Sequence, residues 1–357
     1  MAELFERHDR GRFEVSAWSF GPDVKDEMNE RLRLSFEHFN AVGHNSEFEI
    51  ATMLREQEID IVVDLKGFTS NCRPGIFAHR AAPVQVSYLG YPGTMGADYI
   101  DYIIGDAEVT PVEHEAFYTE KVVRLPDTYQ VNDSKRLIAP RTPSRAEARL
   151  PEAGFVFCCF NNNYKIVPEL FDVWKRLLQK VEGSVLWLLE DNATASRNLR
   201  SEAEARGVPG DRLVFAGRMP LSDHLARHRL ADLFLDTLPY NAHTTTSDAL
   251  WAGLPVLTCR GYAFPGRVAA SLLRAVGLPE LITNNLPDYE ALAIKLATTP
   301  ALLGDIKSRL ARNGDTHPLF NIDRFTRHIE SAYATMYECS QRGESPQSFS
   351  VEPIHQH

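Results

Sequence analysis

The sequence predicts an α/β protein with two Rossmann-like, doubly wound lobes that face a cleft. Short runs of apolar, β-branched and aromatic residues alternate with helical patterns, which is typical of parallel sheets covered by helices. The alternation occurs in two series, separated by an aperiodic stretch around residues 128–143. The length of 357 residues is sufficient for two hydrophobic cores. Ligands of such lobes bind at the carboxyl ends of the strands.

The first series predicts a lobe over residues 1–135. Its expected strands are FEVSAWSF (13–20), IDIVVDL (59–65), VQVSYL (84–89) and YIDYIIG (99–105). Ser46, with Glu49 three residues later, predicts a capping box that opens a helix. The chain begins with the helical pattern MAELFERHD, whereas a doubly wound domain normally starts with its central strand. We therefore expect this lobe to lack its first strand.

A linker over 136–143 leads into the second series, which predicts a lobe over residues 144–321. Its expected strands are FVFCCF (155–160), SVLWLLE (184–190), RLVFAG (212–217), ADLFLD (231–236) and PVLTC (255–259). Apolar residues recur at helical spacing beyond residue 287, and we expect a C-terminal helix over 322–339. The polar tail at 340–357 is predicted to be disordered.

The composition argues against several classes of protein. A formal net charge of −10 makes a general nucleic-acid-binding surface implausible. No apolar run approaches the roughly 20 residues that span a bilayer, and the charged N-terminus lacks an apolar signal core. The five cysteines have neither metal-ligand nor disulfide spacing. We therefore expect a cytoplasmic protein with no membrane or nucleic-acid partner.

The segment DTLPYNAHTTTSDALWAG (236–253) follows an expected strand and opens a helix near His243. Unpaired backbone N–H groups at a helix start can bind a pyrophosphate, and the hydroxyls of Thr244–Thr246 add donors. Asp248, one turn into the helix, is a candidate acceptor for ribose hydroxyls. The alternative is an ordinary Thr/Ser helix cap that binds no ligand.

The segment FNNNYKIVPEL (160–170) follows an expected strand in the same way. Lys165 lies just beyond its polar turn, where an ammonium would offset the charge of a diphosphate leaving group. A solvated surface lysine is the alternative. Farther along, His224 and Arg227 share one helix face, and they either contact a nucleotide or form the polar side of that helix.

Turns with small residues follow strands of the first series. LGYPGTMGADYIDY (89–102) contains glycines that permit close approach of a ligand, or that simply form a tight connection. His38 and the pair Lys66–Gly67 also fall at expected strand ends facing the cleft, although a lone histidine there is more often structural.

Motifs for other chemistries are missing from the sequence. It contains no GxGxxG after a first strand, no Walker phosphate loop, no GxSxG elbow and no HExxH helix. No DxD-like metal–nucleotide motif stands at a strand end. We therefore expect a site that uses no metal ion and no other cofactor.

Four segments together resemble the catalytic region of protein O-GlcNAc transferases, in particular the bacterial members of the family that includes the plant SPINDLY proteins. The segments are LGYPGTMGADYIDYIIGD, FNNNYKI, HRLADLFLDTLPYNAHTTTSDALWAGLPVLT and RVAASLLRAVGLPELI. The similarity extends over about residues 1–338. The resemblance implies a GT-B fold with an acceptor-side first lobe, and inversion at the sugar carbon without a metal. It implies transfer of N-acetylglucosamine from UDP-GlcNAc to Ser or Thr hydroxyls of a protein or peptide.

The resemblance also implies roles for individual residues. Lys165 corresponds to the family lysine at the donor diphosphate, and His38 falls on a family histidine near the reacting groups. These two are the expected catalytic residues. The donor-binding positions implied beside Lys165 are Asn162, His224, Arg227, His243, Thr244, Thr245, Asp248, Leu89, Gly90, Tyr91 and Pro92.

Three departures from the family pattern leave alternatives open. Family catalytic regions open with a strand and a turn of the kind GY-x-S-x-DF-x-x-H, whereas this chain starts in the helix that follows. The usual preceding tetratricopeptide array is not in this sequence, and Leu221 and Tyr240 replace a lysine and a cysteine of the animal enzymes. The alternatives are transfer from GDP-fucose or UDP-glucose, and an inactive nucleotide-binding fragment. A partner chain that supplies the missing segment is a further alternative.

Overall fold

The structure, a computed structural model, describes residues 1–22 and 24–354. The strands are β1 (Ser16–Ser19), β2 (His38–Ala41), β3 (Ile61–Asp64), β4 (Val84–Tyr88), β5 (Tyr102–Asp106), β6 (Lys121–Leu125), β7 (Val156–Cys159), β8 (Val185–Leu189), β9 (Leu213–Ala216), β10 (Leu233–Leu235), β11 (Val256–Cys259), β12 (Ile282–Thr283) and β13 (Phe349–Ser350). The helices are α1 (Ala2–Arg7), α2 (Glu27–Leu34), α3 (Glu47–Glu56), α4 (Gly75–Ala78), α5 (Pro168–Lys180), α6 (Ala193–Glu204), α7 (Leu221–Arg227), α8 (Thr244–Trp251), α9 (Val268–Ala275), α10 (Leu286–Thr298), α11 (Pro300–Thr316) and α12 (Ile322–Gln341). No helix in the described residues is long and apolar enough to cross a membrane.

The chain folds into two compact units. The first comprises Met1–Lys135 together with the stretch from Pro318 onward, and the second is Arg136–His317. The predicted linker belongs to the second unit, where the amide of Ala139 donates to the Ser222 carbonyl at 3.1 Å.

The second unit contains a parallel sheet with the strand order β12-β11-β10-β7-β8-β9. Numbered along this unit, the order is 6-5-4-1-2-3, which is that of a doubly wound domain. The order reverses between β7 and β10, which pair through Leu233 with Phe157 and Phe234 with Cys158. Ligands of such sheets bind beyond the carboxyl ends of the two strands at this reversal.

Large apolar side chains form the core of the second unit. Phe157, Trp187 and Phe234 lie on strands, Trp174 and Tyr289 lie on helices, and all five are fully buried. Strands β7, β8, β10 and β11 are buried at every position. Burial at successive positions means that both faces of the sheet are covered, which explains continuous apolar runs such as FVFCCF.

The first unit contains a parallel sheet of order β13-β6-β5-β4-β3 and a separate parallel pair, β1 with β2. The capping box predicted at the start of α3 is present. Ser46 Oγ accepts from the Glu49 amide at 3.2 Å, and Glu49 Oε2 accepts from the Ser46 amide at 2.7 Å. Strands β2, β6, β12 and β13 were not predicted; β12 and β13 have two residues each, too few to show a period.

The prediction of a disordered tail over 340–357 was wrong for residues 340–354. α12 continues into this stretch, and β13 pairs in parallel with β6. The Ser348 hydroxyl accepts from the Val122 amide at 2.9 Å. Strand pairing satisfies backbone groups that a prediction from composition treats as solvated. Residues 355–357 lie outside the described residues.

The end of the second lobe also differs from the prediction. The sequence predicts residues 318–321 as part of that lobe, but they belong with α12 to the first unit. Leu319 is buried, and its carbonyl accepts from Asn132 Nδ2 at 3.2 Å. The chain returns to the first unit only after the second is complete, and this long-range contact leaves no local pattern in the sequence.

Candidate functional site

Two loops meet at the carboxyl ends of β7 and β10. The first contains a single 3₁₀ turn, Asn163–Lys165, and the second leads into α8. Asn161 joins them, because its Nδ2 donates to Thr237 Oγ1 at 2.8 Å and its Oδ1 accepts from Thr245 Oγ1 at 2.6 Å. The structure thus brings together the two segments that were predicted to bind phosphate.

Lys165 lies between these loops, and its side chain is partly buried. Its Nζ donates to the Asn241 carbonyl at 2.9 Å and lies 4.2 Å from the centre of the Tyr240 ring. Burial lowers the pKa of Lys165, and the negative charge of Asp236 opposes this shift. An ammonium has three N–H donors, so the hydrogen bond to Asn241 leaves two N–H groups that can bind an anion. A desolvated cation attracts a diphosphate more strongly than a solvated one does.

Asp236 shapes the second loop from inside the fold. Its carboxylate is buried, and Oδ1 accepts from the amides of Thr237 at 2.7 Å and Ala242 at 2.6 Å. Oδ2 accepts from the Thr258 hydroxyl at 2.6 Å. Burial raises the pKa of Asp236 to about 7, against the effect of these hydrogen bonds and of Lys165. Because the two amides bracket the loop, the carboxylate ties its ends together.

The first turn of α8 offers backbone donors. The helix begins at Thr244, and its first N–H groups have no acceptor within the helix and carry partial positive charge. Two of the predicted hydroxyl donors are engaged elsewhere, since Thr245 donates to Asn161 and Thr246 donates to the Ala242 carbonyl at 3.1 Å. Thr244 is exposed. An anion at this turn would therefore meet backbone N–H groups and Thr244.

His243 occupies the N-cap position and packs flat against Tyr240, with ring centres 4.8 Å apart and planes at 20°. Its Nε2 lies 3.1 Å from the Pro265 carbonyl, an arrangement that requires the ring proton on Nε2. Burial lowers the pKa of His243 to about 4. The ring is therefore neutral near pH 7, with Nδ1 as an acceptor.

His224 and Arg227 lie on α7 beside the ring of Phe160. The Arg227 guanidinium is 4.4 Å from the centre of that ring, and its Nη1 donates to the Gly217 carbonyl at 2.7 Å. The His224 ring meets Phe160 edge-on at 5.4 Å and the buried His228 at 4.7 Å. Burial lowers the pKa of Arg227 to about 10 and that of His224 to about 3. Aromatic rings with one cation suit a planar, uncharged base.

Two donor-site candidates have protein partners that were not predicted. The Asp248 carboxylate is only 15% exposed, and its Oδ1 accepts from Arg136 Nη1 at 2.5 Å. Asn162 Nδ2 lies 3.4 Å from the Tyr164 hydroxyl, within hydrogen-bond distance. Both side chains are therefore held by neighbours within the second unit.

In the first unit, Leu89–Pro92 form the turn after β4, beside the turn after β3. A Cβ on Gly90 would lie 2.1 Å from the Leu65 carbonyl oxygen, so only glycine fits there. Tyr91 meets Phe68 edge-on at 5.6 Å. Close packing of the two turns explains Gly90 without a ligand, and the role of Leu89–Pro92 beside a donor sugar stays a prediction.

His38 is the first residue of β2 and lies at the amino end of that strand. Ligands of parallel sheets bind beyond the carboxyl ends, so this placement differs from the expectation of a strand end that faces the ligand. The side chain is 61% exposed, and its Nε2 lies 3.0 Å from Glu14 Oε1. A role for His38 in acceptor positioning or proton transfer stays a prediction.

Three residues of the site were missed by sequence reasoning: Asn161, Asp236 and Arg136. Only Asp236 carried a signal, as an acidic residue directly after an apolar strand. The contact from Asn161 to Thr245 spans 84 positions, and that from Arg136 to Asp248 spans 112, so neither has a local pattern. Within residues 1–22 and 24–354, no three His, Cys, Asp or Glu side chains are grouped to hold a metal ion.

The buried histidines predict a loss of stability in acid. Burial lowers the pKa of His228 from 6.5 to about 4. Between these pH values His228 is therefore protonated in the unfolded chain and neutral in the folded chain. The stability contributed by neutral His228 is complete above pH 6.5 and is lost as the pH falls towards 4, by about 3 kcal/mol. The free energy of unfolding, measured from pH 8 to pH 4, should therefore fall less steeply in His228→Asn. At pH 8, where His228 is neutral in both states, the difference in the free energy of unfolding gives the effect of the substitution alone. Equal dependence of the free energy of unfolding on pH below 6.5 in the two proteins would contradict the prediction.

Glycosyl transferase family 41 matches residues 1–142 and 139–329, which together cover most of the chain. The chain belongs to this family. Its sequence is 38% identical to the Arabidopsis thaliana protein named "Probable UDP-N-acetylglucosamine--peptide N-acetylglucosaminyltransferase SEC", over 98% of this chain and 36% of that protein. It is 31% identical to a SPINDLY protein of Eustoma exaltatum, over 95% of this chain and 37% of that protein.

Solved structures agree with the family 41 assignment. A mutant of the Thermobaculum terrenum O-GlcNAc transferase superposes with a TM-score of 0.88 and 33% identity, over 96% of this chain and 65% of that one. Anabaena HepE, solved with UDP and glucose, has a TM-score of 0.56 at 13% identity and shares the fold alone. The expected GT-B fold class is thereby confirmed. The chain spans less than two fifths of the length of the plant relatives named above.

Proposed function

We propose that this chain is the catalytic part of an inverting, metal-independent glycosyltransferase. In this proposal it moves N-acetylglucosamine from UDP-GlcNAc to Ser or Thr hydroxyls of a protein or peptide. The observation that carries the proposal is the meeting of Lys165 and the first turn of α8 at the reversal point of the second sheet. Membership of family 41 and the names of the relatives support the donor and the acceptor class.

The proposed reaction is a displacement at the anomeric carbon of the sugar. The acceptor oxygen forms a bond to this carbon from the face opposite UDP, the bond to the diphosphate oxygen breaks, and the hydroxyl proton passes to a base. Negative charge therefore builds on the leaving diphosphate. Lys165 and the N–H groups of the first turn of α8 are fixed positive groups that stabilise this charge without rearranging.

Recognition of the base is proposed to involve the cluster around Phe160. His224 is half-buried and neutral at pH 7, because burial lowers its pKa to about 3. Arg227 is bound to the Gly217 carbonyl and stays protonated with a pKa of about 10. These groups can contact the ring and carbonyl edge of a uracil, whereas a guanine is larger and carries other donors.

Calorimetric titration of the full chain with UDP and with GDP, in the presence of a chelator, tests this proposal. We expect UDP to bind at least about tenfold more tightly than GDP, which corresponds to 1.4 kcal/mol. Excess chelator should leave the UDP affinity unchanged, because the diphosphate is neutralised by Lys165 and backbone donors. Tighter binding of GDP would replace the proposed donor by a guanosine nucleotide, and failure to bind either nucleotide would overturn the proposal.

A further inference from the structure

Asp248 lies four residues after Thr244 in α8, so helical spacing places both on one side of the helix. The proposed diphosphate site is at the N-terminal turn of the same helix. A ribose attached to that diphosphate is therefore within the reach of one helical turn. Among the residues that the structure describes, the Asp248 side chain is held through Oδ1, which accepts from Arg136 Nη1 at 2.5 Å.

Arg136 is itself fixed by two side chains of α8. Besides its ion pair with Asp248, its guanidinium lies 5.4 Å from the centre of the Trp251 ring. The Trp251 indole N–H donates back to the Arg136 carbonyl at 3.2 Å. Asp248 and Trp251 are three residues apart and so face the same way. The Arg136 side chain is only 14% exposed, and its contacts with Asp248 and Trp251 leave it little freedom to move.

We propose that Arg136 is the positioning residue that presents Asp248 to the ribose hydroxyls of the nucleotide donor. The inference rests on the proposed function, because it assumes that a nucleotide binds at α8. An ion pair through one oxygen restrains the carboxylate and leaves the other oxygen as an acceptor for O–H groups. Burial raises the pKa of Asp248, and the positive charge of Arg136 opposes that shift. Arg136 thus orients the carboxylate and opposes its protonation.

The ratio of the affinities for UDP and for an analogue without ribose hydroxyls measures this role directly. The probes are UDP and 2′,3′-dideoxyuridine diphosphate, titrated calorimetrically into the full chain and its variants. Hydrogen bonds to a charged group predict that the wild-type chain binds UDP about 10- to 100-fold more tightly than the dideoxy analogue. We expect this ratio to fall below about threefold in Arg136→Met and in Arg136→Gln. We expect the affinity ratio to fall below about threefold in Asp248→Asn as well. In the double variant Asp248→Asn/Arg136→Met, we expect it to fall no further than in either single variant.

Arg136→Met retains an apolar side chain of similar length beside Trp251, and Arg136→Gln retains a polar one, so the two variants together guard against a failure to fold. The matched control is Arg176→Gln, which removes another ion pair of the second unit, 2.6 Å long and formed with Glu290. Arg176→Gln should keep the wild-type ratio. A wild-type ratio in whichever Arg136 variant folds would overturn the inference, as would UDP binding by the wild-type chain without any preference over the analogue. No binding of UDP by the wild-type chain would instead overturn the proposed function.

Discussion

Lys165→Ala should lower kcat by about 10²–10³, the cost of removing one fixed donor from a site of developing negative charge. The ammonium is desolvated and held by the Asn241 carbonyl beside the first turn of α8, so water cannot replace it at equal strength. The measurement is turnover with saturating UDP-GlcNAc and a Ser-containing acceptor peptide. The affinity for UDP should fall as well, because the ground state already carries the diphosphate charge.

The control for this experiment is Lys180→Ala in the same unit. Lys180 is 54% exposed and pairs with Glu290 at 2.8 Å on the surface, and exposed pairs contribute little. Lys180→Ala should therefore keep wild-type turnover and affinity. If Lys165→Ala kept full turnover while remaining folded, Lys165 would have no role at the leaving group.

Asp236→Ala should reduce the free energy of unfolding by about 3 kcal/mol or more. The substitution leaves three buried donors without their acceptor, namely the amides of Thr237 and Ala242 and the Thr258 hydroxyl. Each unsatisfied donor costs about 1–3 kcal/mol, and part of this cost is relieved if the loop opens to water. An open loop would displace the Asn241 carbonyl that holds Lys165, so UDP affinity should fall together with stability.

Asp236→Asn separates the hydrogen bonding of this side chain from its negative charge. Its amide oxygen can still accept from the amides of Thr237 and Ala242, so the loop should stay closed and the loss of stability should be smaller. Urea unfolding followed by tryptophan fluorescence reports mainly on this unit, because it contains Trp174, Trp187 and Trp251, whereas the first unit contains Trp18. An Asp236→Ala protein within 0.5 kcal/mol of the wild type would show that the loop does not depend on this carboxylate.

The local features of the fold could be predicted from local sequence. The strands of the second unit are continuous apolar runs, and the helix at Ser46 has a complete capping box. Lys165, His243 and Thr244 follow strands closely in the sequence, so their places at the carboxyl edge follow from parallel topology. The return of residues 318–354 to the first unit could not be predicted in this way, because β13 pairs with β6 across more than two hundred positions.

Sequence patterns alone predict the α/β class, the family resemblance and the two segments that carry the candidate phosphate site. These depend on periodicity and on motifs of a few adjacent residues. The tertiary structure was needed to show that the Thr245 hydroxyl binds Asn161 and that Arg136 holds Asp248. The physical reason is that hydrogen bonds and ion pairs between distant segments depend on which strands lie side by side. Strand order brings such partners within 3 Å, and no local pattern of residues encodes that order.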